Sequence, residues 1–212
     1  MCTGRIDPAF ILRAFSNGVD GVFIGGCWLG ECHYVTEGNY DAVSMMLLTR
    51  KLLEHIGISP ERIRLEWVSA AQGNRFAEVV TDFTNKLKEL GPLGTSEGIE
   101  ENRMKLKLEA AKSIVPYLKL VERESLRVRF KTREEYEEFF NSDRVNKIFK
   151  ESVVEKLAMQ EILLLLREKP FSIDECSDIL GLSRAEISRY LNTSARNRLT
   201  RFDEKQKRFA LV

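Results

Sequence analysis

Short apolar runs alternate with amphipathic stretches through the first ninety residues, a pattern that predicts a parallel sheet covered by helices. Gly21-Val22-Phe23-Ile24-Gly25-Gly26 reads as a buried strand ending in a glycine turn, and Ile63 to Val68 as a second strand. Asp7 and Pro8 open a helix through Phe15, because aspartate caps free amides and proline suits the first helical position; Asn17-Gly18 closes it. Further helices are predicted from about Tyr40 to Ile56 and from about Asn74 to Leu90. The second of these sets Phe76, Val79, Val80, Phe83 and Leu87 on one buried face.

Gly91-Pro92-Leu93-Gly94-Thr95-Ser96-Glu97-Gly98 concentrates the chain's breakers, and the pattern changes after it. The expected organisation is an α/β domain over 1–91, a linker and connecting helix over 92–122, and a helical domain over 123–212. The breaker segment is expected to be the first site of proteolysis. One helix is predicted from Glu100 to Leu120, and Thr132-Arg133-Glu134-Glu135 starts another with threonine as cap. Near the C-terminus, helices from Val153 to Arg167, Ile173 to Leu180 and Arg184 to Asn192 have helix-turn-helix spacing, held together by Ile173, Ile179, Leu180, Leu182, Ile187 and Leu191. Leu199 to Phe202 and Arg208 to Leu211 add a hairpin. The fold class is therefore α/β: a small parallel-sheet, flavodoxin- or Rossmann-like domain followed by a mostly helical, winged-helix-like domain.

In 212 residues, 33 Lys and Arg nearly cancel 32 Asp and Glu, so the global charge points to neither nucleic acid nor membrane. The basic tail is local: Arg184, Arg189, Arg196, Arg198, Arg201, Lys205, Lys207 and Arg208 stand against few acids. Such a surface suits a phosphate backbone or protein docking, and docking on a neighbouring protein of a complex is the expectation. No apolar run approaches the roughly 18 to 20 residues needed to span a bilayer, and no signal peptide precedes the first element, so the expected compartment is the cytoplasm with no membrane partner.

In that compartment four reduced cysteines point to metal or redox chemistry before disulfides. Cys27 and Cys32, with four residues between them on a glycine-rich loop past a strand's carboxyl end, can grip one iron of a cluster, while ordinary turn cysteines are the plainer alternative. Fold logic brings Cys2 to the same sheet edge. His33 is either a fourth ligand, which would make a zinc site by count, or a hydrogen-bonding neighbour. Cys176 is read as core packing, as are Phe23 and Trp67, whereas Arg5 and Glu66 are surface charges or groups near the site.

Cys2-Thr3-Gly4-Arg5-Ile6-Asp7-Pro8, Gly21 to Cys27, Gly30-Glu31-Cys32-His33-Tyr34, Gly38-Asn39-Tyr40 and Arg64 to Ala70 resemble, in register, the iron–sulfur (delta) subunit of methyl-viologen-reducing hydrogenase. The resemblance covers about Cys2 to Leu90. It implies an anaerobic oxidoreductase complex and a 2Fe–2S cluster with Cys2, Cys27 and Cys32 as cofactor and metal ligands and no catalytic residue. Electrons would pass from hydrogenase or formate dehydrogenase subunits to the flavin subunit of a heterodisulfide reductase. The family carries a further strand with Cys-x-x-Cys ahead of the Cys2 segment, so this chain is short of that strand and pair, and weak iron occupancy is expected unless His33 or an upstream segment supplies the rest. Two other readings stand beside the electron carrier: a metal- or redox-sensing winged-helix transcription regulator, and a zinc-stabilised scaffold protein.

Overall fold

The computed structural model describes residues 2–212, which form two compact units, the first ending at Phe149 and the second comprising Lys150–Val212.

The first unit opens on a single 3-10 turn, Thr3–Arg5, and then α1 (Pro8–Ser16), capped as its sequence dictates: the Asp7 carboxylate accepts from the Ala9 amide and Pro8 starts the helix. β1 (Val22–Gly26) and β2 (Ile63–Trp67) pair in parallel, Val22 opposite Ile63 and Gly26 opposite Trp67, joined by the crossover helix α2 (Gly38–His55). Two strands are a marginal sheet by themselves. Here α2 supplies the missing core, burying Val43, Leu48, Leu52 and Leu53 as Ile11, Leu12 and Phe15 of α1 are buried. α3 (Gly73–Leu90) lies alongside with only Val79 and Phe83 buried; Phe76, expected on that face, is half exposed and meets Phe23 edge-on.

Beyond α3 the layout departs from expectation in two ways. The helix predicted from Glu100 to Leu120 is two, α4 (Glu101–Ser113) and α5 (Val115–Val121), because Pro116 has no amide hydrogen to continue the ladder. The breaker segment is also no free linker. α4 packs on α1, α6 (Arg133–Asn141) packs on α2, and α7 (Asp143–Ile148) follows α6, so the first unit runs some sixty residues past the predicted division at residue 91.

Arg62 is what holds the breaker segment. Its guanidinium is wholly buried and donates to the carbonyls of Asp20 (3.0 Å), Gly91 (2.9 Å) and Pro92 (3.2 Å), to Ser96 Oγ (3.1 Å), and to both carboxylate oxygens of Glu97 (2.6 and 3.1 Å). Glu97 accepts further hydrogen bonds from the amides of Ser59 and Gly94. Burial opposes ionisation of Glu97, but these donors outweigh it and hold the carboxyl at about 2.

The second unit is a winged helix: α8 (Glu155–Glu168), α9 (Ile173–Leu180), α10 (Arg184–Arg196) and the hairpin β3 (Thr200–Asp203) with β4 (Arg208–Leu211). Capping boxes at Ser172/Glu175 and Ser183/Glu186 start α9 and α10, Gly181 ends α9 in the left-handed conformation, and Phe171 bridges to Phe209. Cys176, Leu180, Ile187 and Leu191 hold the pair of helices together; Ile179, expected among them, is 37% exposed. Among the described residues no helix is long and apolar enough to cross a membrane.

Because the Glu97 carboxyl lies below its usual value of 4.5, its stabilisation is complete above that pH and is lost as pH falls from about 4.5 towards 2. Glu97→Gln should remove this acid sensitivity. It should also destabilise the first unit by about 3–5 kcal/mol in denaturant titrations, because it leaves a buried guanidinium unpaired. Early proteolytic cleavage within 91–98 is expected in this variant and not in the parent chain.

Candidate functional site

β1 ends at Gly26, so the chain leaves the sheet's carboxyl edge at Cys27, beside the end of β2, where the Val68 amide donates to the Gly26 carbonyl (2.8 Å). Open α/β sheets place their sites at this edge. The 3-10 turn brings Cys2 there from the other side: Thr3 Oγ1 donates to the Gly25 carbonyl (3.0 Å), and Cys2 Sγ lies 3.5 Å from Cys32 Sγ. Cys27 makes its own thiol contact with Cys32. The three sulfurs named from the sequence thus converge.

Cys32 is the centre of the group. It is 5% exposed, and the backbone amides of Tyr34 and Asn39 donate to its sulfur. Two close backbone approaches make this possible. A Cβ on Gly38 would stand 2.5 Å from Cys32 Sγ, at φ +51°, and a Cβ on Gly4 would stand 2.1 Å from the Gly38 carbonyl oxygen. Only glycine permits either contact. Asn39, wholly buried, closes the loop by donating from Nδ2 to the carbonyls of Cys27 (2.9 Å) and Trp28. Its own Oδ1 is buried without a partner among the described residues. The Trp28 indole donates to Gln72 Oε1 (3.0 Å), and Arg75 lies over its ring.

The electrostatics separate the thiols. Burial pushes Cys2 and Cys27 up, and the neighbouring Cys32 adds to that. Burial also opposes ionisation of Cys32, but the two amides and the two thiols that donate to it win and bring it below the usual thiol range. The group is therefore arranged around one favoured thiolate. As they stand, no three Cys, His, Asp or Glu side chains among the described residues enclose a metal ion. The donor set fits an iron–sulfur group by chemistry: Cys2 and Cys27 both contact Cys32, whose ionisation its donors favour, and glycines stand where side chains would intrude.

The other candidates fall outside the group. His33 is exposed, its ring edge-on to Tyr34. Glu66 pairs with Arg64 (2.8 Å) and Arg75 (3.5 Å), and Arg5 is exposed. Cys176 is fully buried in the second unit, where burial raises it to about 11. An open cleft of about 730 Å³ lies between α1, α2 and α5, lined by Asp7, Asp41, Lys119, Glu122 and Arg127 among others, but no cysteine lines it. Sequence reasoning quoted Gly4, Gly38 and Asn39 only as parts of motifs and missed Arg62 altogether.

The fold and site together define an α/β domain bearing a thiol cluster at the carboxyl edge of a small parallel sheet. Residues 1–91 match the family described as methyl-viologen-reducing hydrogenase, delta subunit. An iron–sulfur subunit of the F420-non-reducing hydrogenase of Archaeoglobus profundus is 54% identical over 91 residues, covering 43% of this chain and 66% of that one. The iron–sulfur subunit of the vhc F420-non-reducing hydrogenase of Methanococcus voltae is 45% identical over 97 residues, covering 46% and 67%. In Methanosarcina mazei, one subunit of the ferredoxin:CoB-CoM heterodisulfide reductase is 43% identical over 108 residues, which is 48% of this chain but 14% of that protein. This chain belongs to the hydrogenase delta-subunit family; it spans about two thirds of the length of the hydrogenase iron–sulfur subunits it matches. Residues 158–193 separately match the bacterial regulatory protein, arsR family.

An ultraviolet titration of thiolate absorbance in the metal-free, reduced protein should show Cys32 ionising first and Cys176 last, each step disappearing in the corresponding serine variant. Gly38→Ala, which drives a methyl into the Cys32 sulfur, should move the first step to higher pH.

Proposed function

We propose that the first unit is an iron–sulfur electron-transfer module of a hydrogenase and heterodisulfide reductase assembly, with Cys2, Cys27 and Cys32 as ligands to a 2Fe–2S cluster. The observation that carries this reading is the meeting of three thiols at one sheet edge, with Cys32 favoured as thiolate by two backbone amides. A bound cluster would supply one-electron storage. The chain's own contribution is to hold the sulfurs: Asn39 pins the loop carbonyls, Gly4 and Gly38 let the backbone close, and the amides of Tyr34 and Asn39 stabilise negative charge. Three of the four thiolates such a cluster normally takes come from this group.

The relatives support the assembly. The same segment occurs in proteins named as hydrogenase iron–sulfur subunits and inside a much longer heterodisulfide reductase polypeptide, so one domain serves both as a separate chain and as part of a reductase. That distribution fits transfer of electrons from a hydrogenase or formate dehydrogenase donor to the flavin-containing reductase subunit, in the anaerobic cytoplasm where thiols stay reduced. The surface beside the thiols suits docking, since Tyr34 (54%) and Val35 (69%) are exposed next to Cys32.

Anaerobic reconstitution with iron and sulfide should give a visible chromophore and a reduced-state EPR signal. Cys27→Ser and Cys32→Ser should abolish or strongly weaken both, and Cys176→Ser should leave them intact. Retention of full iron, sulfide and signal in both of the first two variants would defeat the assignment, and zinc without iron in the native protein would make the site a structural one.

A further inference from the structure

Beside α5 the first unit holds a carboxylate for which the chain supplies no partner. Two open clefts along α1, α2 and α5, of about 730 and 620 Å³, share Asp7, Asp41, Met45, Lys119 and Glu122 in their walls and so form one trough. Glu122 directly follows the last residue of α5 and is only 9% exposed, yet it has neither a hydrogen bond nor an ion pair among the described residues. Burial and the nearby Asp41 hold its carboxyl above the usual range, and Arg127 does not offset them. The cations in the walls are committed elsewhere: Lys119 pairs with Asp7 (2.6 Å), Lys112 with Glu109 (2.6 Å) and Arg123 with Glu124 (2.8 Å), while Arg127 lies 3.9 Å from Asp41. The remaining one, Arg5, is exposed, where water and salt screen it. We infer that this trough binds an organic cation, an alkyl chain ending in guanidinium or ammonium, with Glu122 and Asp41 receiving the charged head.

The class of ligand follows from what lines the trough. A carboxylate taken out of water without a partner is unfavourable, and a cation that reaches it from solvent removes that penalty. Glu122 forms part of both clefts, so it can be reached from either. A metal ion fits poorly, because hard cations take six or more oxygen ligands and no three Cys, His, Asp or Glu side chains among the described residues enclose one. Met45, Val115 and Pro116 instead provide apolar wall for an alkyl stem whose head turns to the acids. Phe10 and Leu120 are exposed in the same walls, which suits a cation carried on a protein side chain between apolar neighbours better than a free amine. Glu122 lies outside residues 1–91 and 158–193, so neither family resemblance accounts for it.

Calorimetric titration of the full chain with n-butylguanidinium tests this. Binding should be saturable with Kd about 1 mM, reasonable for a ligand this small. Glu122→Gln keeps the shape and removes the charge; it should weaken binding by about tenfold or more, as loss of a charge-assisted pair requires. Asp41→Asn should weaken it by about threefold, and Glu101→Gln, exposed and outside the walls, by less than about twofold. 1-Pentanol, an uncharged chain of like length, should bind at least about tenfold more weakly than n-butylguanidinium. Tighter binding of acetyl-Leu-Arg-Leu-amide than of agmatine would assign the cation to a partner protein's side chain, and the reverse order to a free amine. Equal binding of 1-pentanol would make the trough merely apolar and overturn the proposal without any variant. No saturable binding of n-butylguanidinium below about 20 mM overturns it too, as does full affinity in Glu122→Gln with unchanged circular dichroism.

Discussion

A guanidinium sealed from water at the start of β2 is the interaction on which the first unit depends. Arg62 cannot be neutralised, so its burial is tolerable only while Glu97 and a ring of carbonyls surround it. Meeting that requirement draws the end of α3, the breaker segment and Asp20, just before β1, to one point. β2 is thereby fixed at the end where it begins, and β1 through its parallel register with β2. Among the described residues this sheet pairs only β1 with β2. The positions of Gly26 and Cys27 therefore rest on a charge pair at the opposite end of the strands.

At the carboxyl end the controlling constraint is space. Cys32 reaches two backbone amides only because Gly38 and Gly4 allow main chain to approach sulfur and main chain to approach main chain. Amides that point at sulfur favour negative charge there, which lowers the thiol's proton affinity and suits a metal-ligating thiolate. The same loop leaves Tyr34 and Val35 in solvent. A site of this form holds charge near a surface, and the neighbouring cleft, whose lining includes no cysteine, has no part in it.

Much of this was legible in the sequence, and the reasons are local. Asp7-Pro8 and Thr132 with Glu135 are caps whose chemistry acts within one turn, so the helices they start fall where expected. Strand ends set by Gly26 and Trp67 likewise put the three cysteines at one edge. What was not legible depends on partners distant along the chain. Gly91 to Gly98 has the composition of a linker, and partners distant along the chain, Arg62 above all with Asp20 and Ser59, make it a packed loop. Ile179 and Phe76 satisfy a helical apolar period yet stay exposed, because periodicity names a face and not what covers it. Asn39 gives no sequence signal for its role, which is to bind two carbonyls that the fold brings to it.

The same distinction governs the charges of the C-terminal unit. Across the chain 33 cations and 32 carboxylates nearly balance, which would argue against a polyanionic partner if charge were spread evenly. Carboxylates on α8 and α9 pair with Arg184, Arg189 and Arg208, whereas Arg196, Arg198, Arg201, Lys205 and Lys207 are exposed with no ion pair among the described residues. Glu186 is turned back onto Ser183, and Asp203 accepts from the amides of Lys205 and Gln206. After Arg184 three acids, Glu186, Asp203 and Glu204, stand against seven cations, so this edge keeps a net positive charge. A balanced total and a strongly basic edge are compatible because pairing is decided at about 3 Å, where cap and turn geometry fix which carboxylates are free.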